Sequence, residues 1–361
     1  MMLKGNKGEW SELYVLFKLL GEGKIYSGDG LLNRLECFYP ILNILRDELD
    51  RQLEYLIDKD IVVVTENGKE ISRISVTEFL EKSKELFAHI TDKYDKKSAF
   101  EIPVLNEFLD KIHCEKIKAK SKDKADINIV IHDYHTGLKP QLGFSIKSEA
   151  GSNPTLLNAS KPTVFTYELV GDEINDDIVN EINSITGNRK IQDRVNEIYS
   201  KGISLNFSEI KNAVFRNNLR LIDSCLPEIV AWMMLDSYRN RNMKIVKAVE
   251  RISEENPFDY DLSNGHDFYG YKIKSLMVST ALGMLPATPW NGRYEATGGY
   301  IVVKKDGDVI CFHIYDRNLL EDYLFHNTKF ETPKNERYQM GQIYKIDDKY
   351  YFDLVLQIRF L

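Results

Sequence analysis

The sequence predicts a mixed α+β protein, and three observations support this fold class. The chain opens with apolar residues at helical spacing. Two turn pairs, Asn67-Gly68 and Asp306-Gly307, stand between β-branched runs and predict hairpins. Helical and strand-like segments do not alternate regularly, so repeated βα units are not expected. The predicted architecture is a central mixed sheet flanked by helices, with an additional β-rich C-terminal region.

The elements follow in order along the chain. Apolar residues from Trp10 to Leu20 recur at helical spacing, and Gly21 and Gly23 indicate where that helix ends. The later segments are strands in 35–75, helices at 76–93 and 102–113, a hairpin at 125–148, a loop at 151–162, a strand at 163–169, mostly helical sequence at 176–251 and a terminal strand at 350–360. We expect three regions, which are a core with the first helix (1–175), a helical region (176–256) and a β-rich region (257–361).

Composition describes a globular chain that is not exported. Its 361 residues are 43% hydrophobic, enough to bury a large core, and carry a formal net charge of −7. The four cysteines lie far apart without a Cys-x-x-Cys pair, which argues against a zinc ribbon or a disulfide scaffold. No apolar run approaches the ~18 residues of a membrane span, and no secretory signal opens the chain. We therefore expect a soluble, cytoplasmic protein without a membrane partner.

A lysine-rich segment at residues 111–124 contrasts with the acidic balance of the whole chain. Its charged residues are Lys111, Glu115, Lys116, Lys118, Lys120, Lys122, Asp123 and Lys124. A run of lysines is commonly a solvated loop, but lysines also make the phosphate contacts that dominate affinity for nucleic acid. The residues that follow this segment favour the second interpretation.

The predicted hairpin at 125–148 brings a carboxylate and an ammonium to one face. Strand alternation places Asp126 on one strand and Ser145 and Lys147 on the other, all on the same side. A turn centred on Thr136-Gly137 gives cross-strand partners whose residue numbers sum to 273, so Asp126 is expected opposite Lys147. Phosphodiester hydrolysis needs such a pair, because a carboxylate holds Mg²⁺ against the phosphate and a lysine helps to deprotonate the attacking water.

The same residues allow two other interpretations. Asp126 and Lys147 could form a cross-strand ion pair without any chemistry. Ser145 and Lys147 could form a nucleophile and its base, but strand neighbours at i and i+2 are not hydrogen-bonded by default, and no oxyanion loop follows. Spacing alone does not exclude the ion pair.

The hairpin residues resemble the PD-(D/E)XK nuclease signature, in the variant where serine, here Ser145, replaces the middle acid. The surrounding segments resemble the HpaII family of type II restriction endonucleases. They span the chain in the family's order and are Gly5–Glu12 (GNKGEWSE), Gly143–Ser148 (GFSIKS), Pro154–Ser160 (PTLLNAS), Gly292–Gly299 (GRYEATGG) and Gln357–Arg359 (QIR). Ala125 stands where the wider signature has a proline, which makes no contact with metal.

The resemblance implies both a fold and an activity. It implies a PD-(D/E)XK-like central sheet, with residues 1–175 as the nuclease core and 257–361 completing a DNA-binding cleft. The implied activity is Mg²⁺-dependent cleavage of double-stranded DNA at CCGG, which leaves 5′-phosphate and 3′-hydroxyl ends. A cognate cytosine-5 DNA methyltransferase would protect the same site in the host. A palindromic target favours a homodimer.

Ser145 leaves the metal site short of one acid, because a serine hydroxyl is a poor ligand for a hard cation. The opening helix offers Glu9 and Glu12, one turn apart. On a helical wheel Glu9 lies within the apolar arc, where an unpaired charge is costly unless it meets a metal. Other nucleases of this broad class contribute a carboxylate from a comparable first helix. The resemblance therefore implies that Asp126, the Ile146 carbonyl and Glu9 hold Mg²⁺, with Glu12 as the second choice and Glu149 as a weaker third. Glu9 and Glu12 could instead be solvated residues placed favourably by the helix dipole.

DNA contacts are expected from three stretches. Reading C·G pairs calls for arginine or lysine toward guanine and an acceptor toward cytosine. The candidates in the loop after the catalytic strand are Asn153, Asn158 and Lys161, those before the C-terminal hairpin are Asn291 and Arg293, and those for phosphates are Lys118, Lys120 and Lys122. Loop capping and phosphate contact are the alternatives to base contact.

Two rival functions use the same features. A PD-(D/E)XK nuclease of other specificity, such as a repair or junction-resolving enzyme, would also need Asp126 and Lys147. A non-catalytic DNA-binding protein would keep the lysines, but a decayed site should have lost one of these two residues, and both are present. A scaffolding protein would leave the predicted Asp/Lys face unexplained.

Overall fold

The computed structural model describes residues 3–92, 99–118, 125–134, 136–151, 153–172, 174–333 and 340–361. These residues form the mixed α+β architecture that the sequence predicts, with ten α-helices and eighteen β-strands. None of the helices in these ranges combines the length and the apolar character that crossing a membrane requires.

The bounds of the elements are as follows. The helices are α1 (Lys7–Glu22), α2 (Val76–Thr91), α3 (Asn106–Lys111), α4 (Asp176–Ser184), α5 (Lys190–Ser200), α6 (Ala213–Ile222), α7 (Leu226–Asn240), α8 (Ile245–Glu255), α9 (Phe268–Leu282) and α10 (Arg317–His326). The strands are β1 (Lys4–Gly5), β2 (Lys24–Gly28), β3 (Arg34–Asp47), β4 (Gln52–Asp58), β5 (Ile61–Glu66), β6 (Lys69–Ser75), β7 (Phe100–Glu101), β8 (Ile127–Ile131), β9 (Gln141–Ser148), β10 (Thr155–Leu157), β11 (Val164–Val170), β12 (Ser204–Ile210), β13 (Gly299–Val303), β14 (Val309–His313), β15 (Thr328–Phe330), β16 (Ile343–Ile346), β17 (Lys349–Val355) and β18 (Ile358–Phe360).

The chain divides into two compact units, each built from segments that are distant in sequence. The first unit comprises Met1–Pro154, Ala281–Gly283 and Tyr294–Tyr323, and the second comprises Thr155–Thr280, Met284–Arg293 and Leu324–Leu361. The three contiguous regions expected from the sequence remain a prediction.

A nine-stranded mixed sheet organises the first unit. Its strand order is β2-β14-β13-β9-β8-β3-β4-β5-β6, and β2 also pairs with β3. The first six strands of that order therefore close into a barrel, and β4 to β6 extend it as a flap of antiparallel strands. Two pairings, β9 with β13 and β2 with β14, are parallel, and the rest are antiparallel.

The first helix confirms the sequence prediction and lies at the centre of the core. Asn6 caps α1, and Gly23 ends it in the left-handed region at φ 66°. The helix packs against α2, β9, β2 and β3. Its buried residues cover most of its circumference rather than one stripe, and they are Trp10, Ser11, Leu13, Tyr14, Val15, Leu16, Phe17, Leu19 and Leu20.

Both predicted turn pairs form hairpins. Asn67 and Gly68 have φ values of 50° and 74° between β5 and β6, as a two-residue turn of the mirror-image type requires. β13 and β14 pair antiparallel around the second turn, where Gly307 has φ 84°.

The hairpin of β8 and β9 also forms, but its predicted register is wrong. Ile127 pairs with Phe144, so the residue numbers of cross-strand partners sum to 271 rather than 273. Asp126 is therefore level with Ser145 and not with Lys147. Because side chains alternate with a period of two, this shift leaves all three polar side chains on the face that the sequence predicted.

The turn explains the register. Asp133 N–H donates to the Leu138 carbonyl (3.0 Å), and Gly137 N–H donates to the Asp133 carbonyl (2.7 Å). The Thr136 hydroxyl adds a hydrogen bond to the Asp133 carboxylate (2.6 Å). These contacts link Asp133 to Leu138, and the midpoint of that pair precedes the centre of Thr136-Gly137 by one residue.

The second unit contains two smaller antiparallel sheets with helices around them. Their strand orders are β12-β11-β17-β16 and β10-β18-β15. The expected strand at 163–169 corresponds to β11. The terminal segment forms two strands, β17 and β18, in place of the single predicted one. The two strands belong to different sheets, because β17 pairs with β11 and β16 whereas β18 pairs with β10 and β15.

Candidate active site

Asp126 lies immediately before β8, and its carboxylate is hydrogen-bonded to β9. Its backbone N–H donates to the Phe144 carbonyl (2.8 Å), which ties the residue to β9. Its Oδ2 accepts hydrogen bonds from Ile146 N–H (2.7 Å) and from the Ser145 hydroxyl (3.2 Å). The carboxylate thus has one fixed orientation, and within the described residues its Oδ1 accepts no hydrogen bond.

Lys147 lies on the same face of β9, two residues after Ser145. Its Nζ lies 5.7 Å from the centroid of the Tyr300 ring, a distance at which the ring face attracts a cation. Burial lowers the pKa of the Lys147 ammonium, and the carboxylates of Asp126 and Glu12 oppose that effect. A lysine in this environment is easier to deprotonate than a solvated one.

Glu12 on α1 joins this face from the side of the helix. Its Oε2 is buried and has no hydrogen-bond partner within the described residues. Burial, followed by the charge of Asp126, raises the pKa of Glu12 to about 8, while Lys118 and Arg46 oppose the rise. A cation placed between the two carboxylates would reverse this effect, because it favours the ionised form.

The residues Asp126, Ser145, Lys147 and Glu12 form what we call the cluster. Glu9 does not join this cluster through its carboxylate. Its Oε2 accepts a hydrogen bond from Asn6 N–H (2.9 Å), and the Asn6 side chain accepts one from Glu9 N–H (3.1 Å). This reciprocal pair is a capping box, so Glu9 stabilises the helix start. The structure therefore favours Glu12 over Glu9 as the second carboxylate, which reverses the order expected from the helical wheel.

Two close contacts hold the elements of the site together. The hydroxyls of Ser11 and Ser148 are 2.8 Å apart and join α1 to β9 beside Glu12 and Lys147. At the other end of β9, a Cβ on residue 143 would lie 2.7 Å from the Ala125 Cβ. Glycine is therefore required at position 143 for the chain to approach Asp126 so closely.

Tyr300 is part of the site and was not predicted. β13 runs parallel to β9 with Tyr300 level with Ser145, and the phenol is fully buried. Burial and the charge of Asp126 raise the pKa of Tyr300, and a hydrogen bond with Ser145 opposes the rise. Its strand was recognisable as part of a hairpin, but nothing in the local sequence indicates pairing with β9. The Ser145 hydroxyl is thus engaged by Asp126 and Tyr300, which disfavours its use as a nucleophile activated by Lys147.

A cavity of about 470 Å³ opens beside Asp126 in the first unit. Its lining is polar along one side, with contributions from Arg46, Asp47, Asn128, Gln141, Glu295 and Thr297. The cavity gives solvent, or a polar ligand, access to the Asp126 side of the hairpin.

The predicted DNA-binding residues are distributed over both units. In the first unit Lys118 is exposed and Asn153 is partly buried. Lys120 and Lys122 lie outside the described residues. In the second unit Asn158 and Lys161 are exposed between β10 and β11, and the Asn291 side chain accepts a hydrogen bond from Arg293 N–H (3.1 Å). That last contact is the loop capping considered as the alternative for Asn291; the DNA-binding roles remain predictions.

The cluster has fewer acids than an all-protein metal cage. Within the described ranges, no group of three or more His, Cys, Asp and Glu side chains is arranged to hold a metal ion. Asp126 and Glu12 offer two carboxylates, and backbone oxygens such as the Ile146 carbonyl are the remaining hard donors. A divalent ion that keeps part of its hydration shell, as Mg²⁺ does, fits such a donor set.

Comparison with known proteins places the whole chain in one family. The family model of the HpaII restriction endonuclease matches residues 6–360. The type II restriction enzyme HpaII of Haemophilus parainfluenzae is 44% identical over 359 residues, which cover 99% of this chain and 98% of that protein. No solved structure matches the chain. The match covers every segment of the cluster, and the chain therefore belongs to the HpaII restriction endonuclease family and is a type II site-specific deoxyribonuclease.

Proposed function

We propose that this enzyme hydrolyses double-stranded DNA at CCGG with Mg²⁺, through a PD-(D/E)XK-type site formed by Asp126, Ser145, Lys147 and Glu12. The observation that carries the proposal is the buried Glu12 oxygen without a hydrogen-bond partner in the described chain, next to the charge of Asp126. A buried acceptor left unpaired is costly, and a bound cation is the partner that removes the cost.

Asp126, Glu12 and the Ile146 carbonyl would hold the Mg²⁺. When bound, the ion would stabilise negative charge on the phosphate that is cleaved. Ser145 does not need to be a ligand, because its hydroxyl donates to Asp126 and holds that carboxylate in place. The missing middle acid of the signature is thus replaced by Glu12 from another element.

Lys147 would orient the attacking water and accept its proton. Its lowered pKa makes the neutral amine more accessible than that of a solvated lysine, as a general base requires. The ring of Tyr300 lies beside the Nζ and limits where the amine can go. Hydrolysis of the bond between the 3′ oxygen and phosphorus would leave 5′-phosphate and 3′-hydroxyl ends.

The remaining parts of the proposal concern partners. A palindromic target favours two copies of the chain related by a two-fold axis, so we propose a homodimer on DNA. A host that carries this nuclease needs its own sites protected, and we propose a cytosine-5 DNA methyltransferase of the same specificity. Both enzymes would act where the host DNA lies, in the cytoplasm.

Plasmid digestion tests the specificity. We expect the purified protein with Mg²⁺ to give discrete fragments, and sequencing of their ends to place every cut within CCGG. Excess EDTA should stop the reaction, and prior methylation of the cytosines should protect the plasmid. Discrete cuts at another sequence would refute CCGG but not the chemistry, and junction-selective cleavage would favour the repair enzyme alternative. Cleavage that persists in EDTA would refute the metal site.

The lysine-rich segment should contribute charge and not sequence recognition. We expect that neutralising Lys118, Lys120 and Lys122 together weakens binding to cognate DNA and to random DNA by similar factors. The slope of log affinity against log salt should fall by about 0.9 for each lost phosphate contact. Fluorescence anisotropy titrations at several salt concentrations measure this slope. An unchanged slope would restore the interpretation as a solvated loop.

A further inference from the structure

A buried ion pair lies at the end of β3. Arg46 Nε and Glu48 Oε1 are 2.7 Å apart, and the side chains are 7% and 0% exposed. Removing two charges from water is costly, and their attraction offsets the cost only when the remaining polar atoms are also satisfied. The partners of those atoms therefore indicate what the pair does.

The remaining hydrogen bonds of the pair go to one short stretch of backbone. Glu48 Oε2 accepts from the N–H groups of Glu115 (2.9 Å) and Lys116 (3.1 Å). Arg46 Nη2 donates to the carbonyls of Lys116 and Ile117, the latter at 2.9 Å. Both charges thus bind the main chain at 115–117, inside the lysine-rich segment and shortly after α3 ends at Lys111.

Like charges along the lysine-rich segment repel one another, so contacts with other elements favour one backbone position. Lys118 follows Ile117 directly and is exposed. We propose that the Arg46–Glu48 pair is a positioning device that fixes the backbone at 115–117 and so presents Lys118 to a DNA phosphate near Asp126. This inference rests on the proposed DNA-cleaving function and assigns roles to two residues outside the signature.

Two observations agree with a placement near the catalytic candidates. Arg46 and Asp126 line the same cavity. The ion pair, Lys118 and the catalytic candidates all belong to the first unit.

Limited trypsin digestion tests the anchoring without relying on activity. Glu48→Gln, and Arg46→Met combined with Glu48→Met, should speed cleavage after Lys116 and Lys118 by about tenfold or more, because the backbone opens more readily. The matched control is Asp236→Asn, which breaks a buried ion pair with Arg251 in the second unit. It should leave the cleavage rate at 116–118 unchanged.

DNA titrations test the consequence. The apolar double variant replaces the pair without leaving a lone buried charge, so it should remain folded by thermal melting. The double variant should behave like Lys118→Ala. It should weaken binding to cognate and random DNA by about threefold to tenfold and reduce the slope of log affinity against log salt by about 0.9. KM should rise with little change in kcat. Adding Lys118→Ala to the double variant should cause no further loss, since both act through one contact.

The outcomes distinguish a failure of the positioning role from a failure of the proposed nuclease function. Unchanged trypsin cleavage, an unchanged salt slope, or losses that add fully would each overturn the positioning role while leaving the nuclease function intact. Failure of the unaltered protein to bind or cut DNA would instead refute the proposed function, whatever trypsin shows. If the double variant unfolds, Glu48→Gln decides, because it keeps the shape of the side chain and an acceptor oxygen.

Discussion

Lys147→Ala and Asp126→Asn should each reduce DNA cleavage by about 10²–10⁴-fold, the range expected when a general base or its equivalent is removed. Specific DNA binding should remain, because neither residue is proposed to read bases. Asparagine is the informative replacement at 126, since its side-chain oxygen can still accept from Ile146 N–H. Removing the Asp126 charge should also tighten metal-free binding, because that charge repels the phosphate. Single-turnover cleavage and anisotropy titrations measure the two effects separately.

Lys304→Ala is the matched control for Lys147→Ala. Lys304 follows β13, which pairs with the strand of Lys147. It is also partly buried, and it pairs with Asp306 (3.5 Å) and Asp308 (3.8 Å). Its loss should change cleavage by no more than about twofold, as for a partly exposed ion pair without a catalytic role. Near-normal turnover in Lys147→Ala would show that the water-activating role is wrong.

Glu12→Gln should reduce cleavage by about 100-fold or more, since even outer partners of metal ligands contribute 10–100-fold. The reason is that Mg²⁺ would lose one of its two proposed carboxylates. Mn²⁺, which binds such oxygen ligands less selectively, should restore part of the activity. Glu9→Gln should be mild, because glutamine at the third helical position still closes the capping box. The two substitutions, compared by cleavage rate and by thermal melting, decide between the acids.

The pH dependence of stability gives Glu12→Gln a second readout. The pKa of Glu12 rises from the ordinary value of 4.5 to about 8 on folding, so the folded protein binds more protons between those values. The contribution of Glu12 to the stability of the metal-free protein should therefore be most favourable below pH 4.5. This contribution should fall as the pH rises toward 8. Glutamine cannot ionise, so the variant should lack this part of the fall.

Melting in EDTA at pH 5 and pH 8.5 checks that expectation. The Tm of the variant should gain about a few degrees on the unaltered protein at the higher pH. One contrary outcome is equal activity in the unaltered protein, Glu9→Gln and Glu12→Gln. Another is a loss of activity in Glu12→Gln that follows unfolding. Either would mean that α1 is only a packing element.

The sequence by itself determined what depends on neighbours along the chain. The spacing of apolar residues gave α1, the Asn67-Gly68 pair gave its hairpin, and strand alternation put Asp126, Ser145 and Lys147 on one face. The face assignment remained correct despite the wrong register, because parity does not change when a strand shifts by two residues.

The tertiary structure decided what depends on contacts between distant segments. The register of β8 and β9 follows from the hydrogen bonds that link Asp133 to Gly137 and Leu138, which composition does not specify. The helical wheel pointed to Glu9 because it assumes one buried stripe, but α1 is buried around most of its surface, and the free N–H of Asn6 takes the Glu9 carboxylate. Tyr300 reaches the site only through the parallel pairing of β9 with β13, more than 150 residues apart. Pairings over such separations are selected by the packing of the whole core, so no local pattern reveals them.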